Sequence, residues 1–344
     1  MTNDSGSALL SVKDLKVQYP TDEGIVKALD GVSFDIFPGQ TLGVVGESGC
    51  GKSTVGRAIM QILDKPGHLA GGEIGWSPEN GSKFDIAAQK PNSLEMRNLR
   101  GGDIALVFQE PMTSFSPIHT IGNQMSEVIR LHQDKTPVEA REWAEELLNT
   151  VGIPSPSQRY DEYSYQLSGG LRQRAMIAMA ISCNPRLLIA DEPTTALDVT
   201  TQAQILDLFR KLQEDYKMAI MLITHNLGVI AEMASDVLVM YLGRAVESGA
   251  VDDIFHGAKH PYTQGLLESI PSVQSSGVER LPSISGSIPH PFNRPSGCTF
   301  STRCPSFMEN VCDQNEPKYL PVEGSSQKAS CFLHHRDEGE VSND

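Results

Sequence analysis

The chain has 344 residues, enough for one large domain and a smaller one, and 39% of them are hydrophobic, enough for a sizeable core. A formal net charge of −15 argues against a nucleic-acid partner, because neutralising phosphates takes a basic face. No apolar run approaches the roughly 20 residues of a membrane-spanning helix, and the opening MTNDSGSALLSVKDLKV lacks a signal peptide's basic stretch and apolar run. A soluble, cytoplasmic chain is expected, with any membrane role arriving through a partner.

In chain order, LLSVKDLKVQYP (9–20) and VKALDGVSFDIFPGQ (26–40) alternate as strands, with turns at Pro20 and at Pro38-Gly39. A short apolar run (42–45) enters a glycine loop and leaves as a helix, apolar at Val55, Ala58, Ile59 and Ile62. DIALVFQ (103–109) reads as another buried strand. Strand signals then stop. TPVEAREWAEELLNTVGI (136–153) has helical spacing at Val138, Trp143, Leu147 and Val151, with Thr136 as N-cap before Pro137. A helical insertion over about 110–183 is expected. RLLIADEP (186–193) and AIMLITHN (219–226) are short and apolar, as parallel strands buried on both faces are, and the helix TQAQILDLFRKLQEDY (201–216) lies between them. DVLVMYLGRAVESG (236–249) reads as a hairpin. Beyond about residue 249 the composition shifts, Pro, Ser and Gly accumulate over 271–295 as in a linker, and RDEGEVSND (336–344) reads as a disordered acidic end.

The chemistry concentrates in four places. Gly46-Glu47-Ser48-Gly49-Cys50-Gly51-Lys52-Ser53-Thr54 fits GxxxxGK[ST] in full, between a strand and a helix. Glycines let backbone N–H groups turn toward phosphate oxygens, Lys52 brings charge to the β- and γ-phosphates, Ser53 offers a hydroxyl to Mg²⁺, and the helix start favours anions. LLIADE puts Asp191 and Glu192 at the carboxyl end of a buried strand, where ligands bind in open α/β sheets. Asp191 then suits Mg²⁺ and Glu192 suits a general base for the attacking water, the alternative being a helix N-cap before Pro193. His225 and Gln109 also end buried strands; from position alone each serves the site or the surface equally well. Ser168-Gly169-Gly170 stands directly before a strong helix, a second anion-binding start that a single site does not explain. Finally, Cys298, Cys304, Cys312 and Cys331 are separated by five, seven and eighteen residues. Four thiolates make the full ligand set of an iron–sulfur cluster or of structural zinc, with His334 and His335 as substitute zinc ligands.

Together these residues resemble an ABC-transporter ATPase from Ser7 to about Val273. The resemblance implies a fold: a RecA-like P-loop α/β core with an antiparallel β subdomain, a helical subdomain and a Cys-containing C-terminal extension. Expected boundaries are 7–250 for the ATPase domain, 251–335 for the extension and 336–344 for the acidic tail. It also implies roles. Gln109 is the Q-loop glutamine and a Mg²⁺ contact, Leu167-Ser168-Gly169-Gly170 the signature, Ala196-Leu197-Asp198 the D-loop and His225 the switch histidine. Tyr19 matches the aromatic that stacks on adenine. In that family two ATPases pack head to tail, so Ser168, Gly169 and Gly170 hold the γ-phosphate of the partner's ATP.

Narrower stretches (110–129, 167–180 and 260–272) are similar to the dipeptide/oligopeptide/nickel importer ATPases. The Arg-Gln-Arg after the signature resembles the D-type subunit, which pairs with an F-type homologue; Leu171 replaces the usual Met, and Phe115-Ser116 the usual Leu-Asn. The resemblance implies uptake of di- and oligopeptides, or of nickel or another small solute. It implies as partners the F-type ATPase or a second copy, two membrane permeases and, indirectly, an extracytoplasmic binding protein, with the chain at the cytoplasmic face of the inner membrane. It associates the four cysteines with a [4Fe-4S] cluster. A soluble ABC ATPase outside transport is the reading from another class; those usually carry tandem cassettes, long coiled coils or basic surfaces.

Overall fold

A computed structural model describes residues 7–77, 83–109, 114–195, 197–270 and 284–335. Residues 110–113 of the expected insertion, Ala196 of the D-loop, 271–283 of the linker and the acidic tail lie outside them. The strands in chain order are β1 (Leu10–Thr21), β2 (Gly24–Ile36), β3 (Thr41–Val45), β4 (His68–Trp76), β5 (Phe84–Asp85), β6 (Ile104–Val107), β7 (Leu187–Asp191), β8 (Ala219–Ile223), β9 (Asp236–Tyr241), β10 (Arg244–Ala250), β11 (Leu320–Pro321) and β12 (Lys328–Ala329). They form an antiparallel sheet ordered β2-β1-β4-β5 and an eight-stranded sheet ordered β11-β12-β10-β9-β3-β8-β7-β6.

In the larger sheet the run from β9 to β6 is parallel. Every residue of β3, β7 and β8 is buried, which explains why these segments are apolar without alternation. Their register keeps the carboxyl ends level: Val44 and Asp191 both lie opposite Ile223, and Val107 lies opposite Ala190. Whatever follows these strands is therefore delivered to one edge. β1 shows the other pattern. Leu10 and Val12 point inward, then Leu15 and Val17, so the alternation slips by one residue. The register shifts there and Asp14 adopts a φ of 48°, a bulge that restores the inward face.

Between β6 and β7 lie the helices Ile121–His132, Pro137–Thr150, Pro156–Tyr160 and Gly169–Ile181. Thr136 and Glu139 close a capping box at the start of the second, a device that contributes about 1 kcal/mol. Ile129, Leu147 and Ile177 pack with Leu188 and Ile220 in one core. The opposite face of the sheet, with Ile189 and Met221, packs with Val55, Ile59, Leu15 and Trp76 in a second. No described helix is long and apolar enough to cross a membrane.

Two features were not legible beforehand. β4 carries three glycines in HLAGGEIGW, which mutes its strand signal, yet it pairs with β1 from Leu10↔Trp76 onward. The segment after residue 250 also joins the main sheet. Ala329 of β12 pairs with Glu247 of β10, and Gln327, 1% exposed, donates Nε2 to the carbonyls of Asp253 and Gly257.

Candidate active site

β3 runs into the glycine loop and the helix Lys52–Ile59 leaves it. At Gly46 a Cβ would sit 2.2 Å from the Met240 carbonyl oxygen, and at Gly51, with φ 102°, it would sit 2.7 Å from that of Ala28. Only glycine fits either position. Gly51 is the helix N-cap, and no side chain caps the helix, so its first N–H groups face the loop's concavity. Lys52 is buried, and its Nζ donates to the carbonyls of Gly46 at 2.8 Å and Glu47 at 3.1 Å. Ser48, Gly49, Ser53 and Thr54 line the same cavity, of about 240 Å³. Backbone N–H groups, an ammonium and hydroxyls are the donor set a nucleotide polyphosphate needs. Cys50 is a different matter: its thiol is buried, and burial raises its pKa, so it packs the loop rather than facing the cavity.

The level strand ends bring four further candidates together. Ser53 Oγ donates to Asp191 Oδ1 at 2.9 Å. Burial raises the pKa of Asp191, and that hydrogen bond opposes the rise. The next residue, Glu192, takes a left-handed φ of 46°, a conformation that costs a non-glycine residue about 1 kcal/mol. Its carboxylate accepts from Gln109 Nε2 at 3.2 Å and Thr195 Oγ1 at 2.9 Å, and lies 3.2 Å from His225 Nδ1. Gln109 and Glu192 line the cavity with the glycine loop. Ser53 and Asp191, with Gln109 near them, fit the hard-oxygen ligation of Mg²⁺.

Other candidates lie elsewhere. Tyr19 does not line the cavity; its ring packs over Gly67, where a Cβ would meet it at 2.4 Å. Ser168 is exposed and caps the helix Gly169–Ile181, its Oγ accepting from the Leu171 N–H at 3.4 Å. Gly169 and Gly170 begin that helix, and a Cβ on Gly169 would meet nothing within 4 Å. Asp198 caps the helix Val199–Tyr216, and the Thr201 N–H holds its carboxyl below the ordinary range. None of the four lines the cavity. Sequence reasoning missed Arg294, which does line it; a single arginine in a proline-rich stretch carries no pattern.

The four clustered cysteines are not gathered into a ligand group in the single chain. Among the described residues no group of three or more His, Cys, Asp and Glu side chains is placed to hold a metal ion, and all four thiols are free. The Cys298 N–H donates to the Cys312 carbonyl at 2.8 Å, which ties the segment together through backbone rather than sulfur. Burial, then the charge of neighbouring thiols, pushes Cys298 up to about 12 and Cys331 up to about 11. The substitute zinc ligands are engaged: His334 Nε2 lies 3.0 Å from the Lys259 carbonyl and His335 Nε2 lies 3.2 Å from that of Leu320. A zinc tetrahedron is not assembled here.

Comparison with known proteins identifies the family. The family described as ABC transporter matches residues 29–195, and the oligopeptide/dipeptide transporter C-terminal region matches 246–312. The dipeptide transport ATP-binding protein DppD of Escherichia coli is 44% identical over 332 residues, covering 96% of this chain and 98% of that one. Its Haemophilus influenzae counterpart is also 44% identical, covering 96% and 97%. Among solved structures, a dimeric ATP-binding cassette in a post-hydrolysis state bound to ADP and Pi aligns with TM-score 0.62 and 25% identity, over 70% of this chain and 98% of that one. A cassette from Clostridium perfringens, part of an ABC transporter complex, aligns with TM-score 0.59 and 25% identity, over 73% and 92%. With its glycine loop, its paired carboxylates and near full-length relatives, the chain belongs to the ABC-transporter family of ATP-hydrolysing subunits, in the branch that carries the oligopeptide/dipeptide transporter C-terminal region.

Proposed function

We propose that the chain powers an importer of di- and oligopeptides, coupling ATP binding and hydrolysis to transport through two membrane permeases. The observation that carries this reading is 44% identity, over 96% of the chain, to a dipeptide transport ATP-binding protein. The chain works at the cytoplasmic face of the inner membrane, docked on the permeases through the helical segment near Gln109. An extracytoplasmic binding protein supplies the peptide.

In the ATPase cycle Lys52 and the loop N–H groups hold the β- and γ-phosphates. Ser53 and Asp191, with Gln109, would hold Mg²⁺, which would supply charge neutralisation at the transferring phosphoryl group. Glu192 takes a proton from the attacking water, while His225 and Gln109 fix its carboxylate. Tyr19 meets the adenine. Ser168, Gly169, Gly170 and Asp198 belong to the site of a second cassette, either an F-type homologue or another copy. A cavity of about 240 Å³ supports this, being smaller than the roughly 300–1,000 Å³ of pockets that enclose a small-molecule ligand. One chain provides one wall.

The domain boundaries 7–250, 251–335 and 336–344, with the helical subdomain over 110–183, belong to the same reading. For Cys298, Cys304, Cys312 and Cys331 the finer reading is a [4Fe-4S] cluster, for which four free thiols are the full ligand number, although among the described residues they are not gathered into a metal-holding group. About four irons with matching sulfide per chain, after anaerobic purification, supports it; neither metal nor sulfide rejects it. For transport, the chain is co-expressed with its permeases in proteoliposomes. Peptide-stimulated ATP hydrolysis is expected, and a complex whose turnover ignores peptide and its binding protein overturns the proposal.

A further inference from the structure

Two residues of the C-terminal extension grip the second residue of the glycine loop. Arg303 donates Nη1 to Glu47 Oε2 at 2.7 Å and Nη2 to Glu47 Oε1 at 3.0 Å. Its side chain is only 3% exposed. The guanidinium also reaches Tyr241 Oη at 3.3 Å and the Ser285 carbonyl at 3.1 Å, and lies against the rings of Tyr241 and Phe300. Tyr262 completes the grip, its hydroxyl accepting the Glu47 N–H at 2.8 Å. Tyr262 is fully buried and packs at an angle against Tyr241 and edge-on to Phe300. Both the side chain and the main chain of Glu47 are thus held from beyond residue 250.

The placement poses an electrostatic problem. Glu47 adds a negative charge to a loop that must accept a polyanion. A bidentate guanidinium cancels that charge and fixes the direction of the carboxylate. The guanidinium is shielded from water while the Glu47 side chain is 24% exposed, so salt screens the pair less than a fully exposed one. We infer that Arg303 is a positioning residue for nucleotide binding: the extension neutralises Glu47 and holds the loop in its phosphate-accepting shape. This rests on the reading of the loop as the ATP site and adds a purpose for the extension's contact with it. Arg303 acts through Glu47, without touching the nucleotide.

The test is calorimetric titration of the full chain with ATP and with ADP. Arg303→Gln leaves Glu47 unpaired, so affinity for ATP falls about tenfold, and less for ADP, which carries less charge. Removing the carboxylate as well, in Glu47→Gln/Arg303→Gln, restores ATP affinity to within about threefold of wild type. A purely structural staple behaves otherwise: the double variant binds no better than Arg303→Gln, or ATP and ADP lose equally. Either result overturns the inference, as does an unchanged ATP affinity in Arg303→Gln. Should Arg303→Gln not fold, Arg303→Lys keeps the charge but loses the fork. It is expected to bind ATP about threefold more weakly with ADP little changed, and unaltered ATP binding overturns the inference. Wild-type chain that fails to bind ATP would sink the ATP-site reading itself, a result distinct from all of these.

Discussion

Glu192 and His225 face each other across the ends of β7 and β8, carboxylate Oε1 to imidazole Nδ1 at 3.2 Å, while Gln109 holds the other carboxylate oxygen. Three strand ends thus converge on one acidic group beside the glycine loop. If that group is the general base, Glu192→Gln keeps the shape and loses the proton acceptor. Phosphate release is expected to fall by about 10²-fold or more, with ATP binding retained. Near-normal turnover would remove Glu192 from the role.

Gly51→Ala tests the loop's geometry. Alanine at φ 102°, with its Cβ 2.7 Å from the Ala28 carbonyl, must move the loop. The strain is on the order of 1–3 kcal/mol, and the loop N–H groups turn away from the phosphates. ATP affinity should fall at least about tenfold, with only a small drop in melting temperature because the site is at the rim of the sheet. Equal affinity in the variant would show that the loop's shape is unimportant.

Ser168 caps its helix in the single chain, so two roles have to be separated. Ser168→Asp retains a good N-cap and suits the helix N-terminus, but sets a negative charge against the proposed γ-phosphate of the partner. The melting temperature should stay level while hydrolysis drops about tenfold or more. In wild type the rate per chain should rise with protein concentration. A rate indifferent to both dilution and Ser168→Asp would confine Ser168 to capping.

His260 gives the pH dependence. It is fully buried, and burial lowers its pKa from 6.5 to about 3. Its Nδ1 accepts the Tyr262 N–H at 3.0 Å, capping the helix Pro261–Glu268. Between pH 6.5 and 3 the unfolded chain therefore binds a proton that the folded chain does not, and stability falls as pH falls. From pH 7 to pH 5 this loss is about 2 kcal/mol. Glu247, which accepts the N–H groups of Lys259 and His260, has its pKa raised by burial and works in the opposite sense above 4.5. His334 also faces His260 electrostatically. His260→Asn keeps a cap without the titration, so the difference in melting between pH 7 and pH 5 should shrink in the variant. An identical pH response in both would exclude His260 as the source.

Much of this site could be read from local pattern. The glycine loop, the carboxylate pair and the polar residues ending apolar runs all advertise themselves within ten residues, because strand length and loop chemistry are short-range. Thr136 was readable as a cap for the same reason. Tyr19 shows what pattern leaves open: its strand was clear, but that its ring packs over Gly67, far along the chain, came only with the fold. The cysteines show it again. Their number suggested a ligand set, while only the fold shows that Cys298 N–H bonds the Cys312 carbonyl and that His334 and His335 meet backbone carbonyls.

The amino-acid order by itself determined a parallel P-loop ATPase core and the residues along its strand ends. Folding then brings the C-terminal extension onto that core, with Ala329 pairing to Glu247 and Arg303 to Glu47, contacts no local stretch announces. The last pair is 256 positions apart. Periodicity and capping act over a few residues, whereas an ion pair needs only that two groups meet in space, and no local spacing records that meeting.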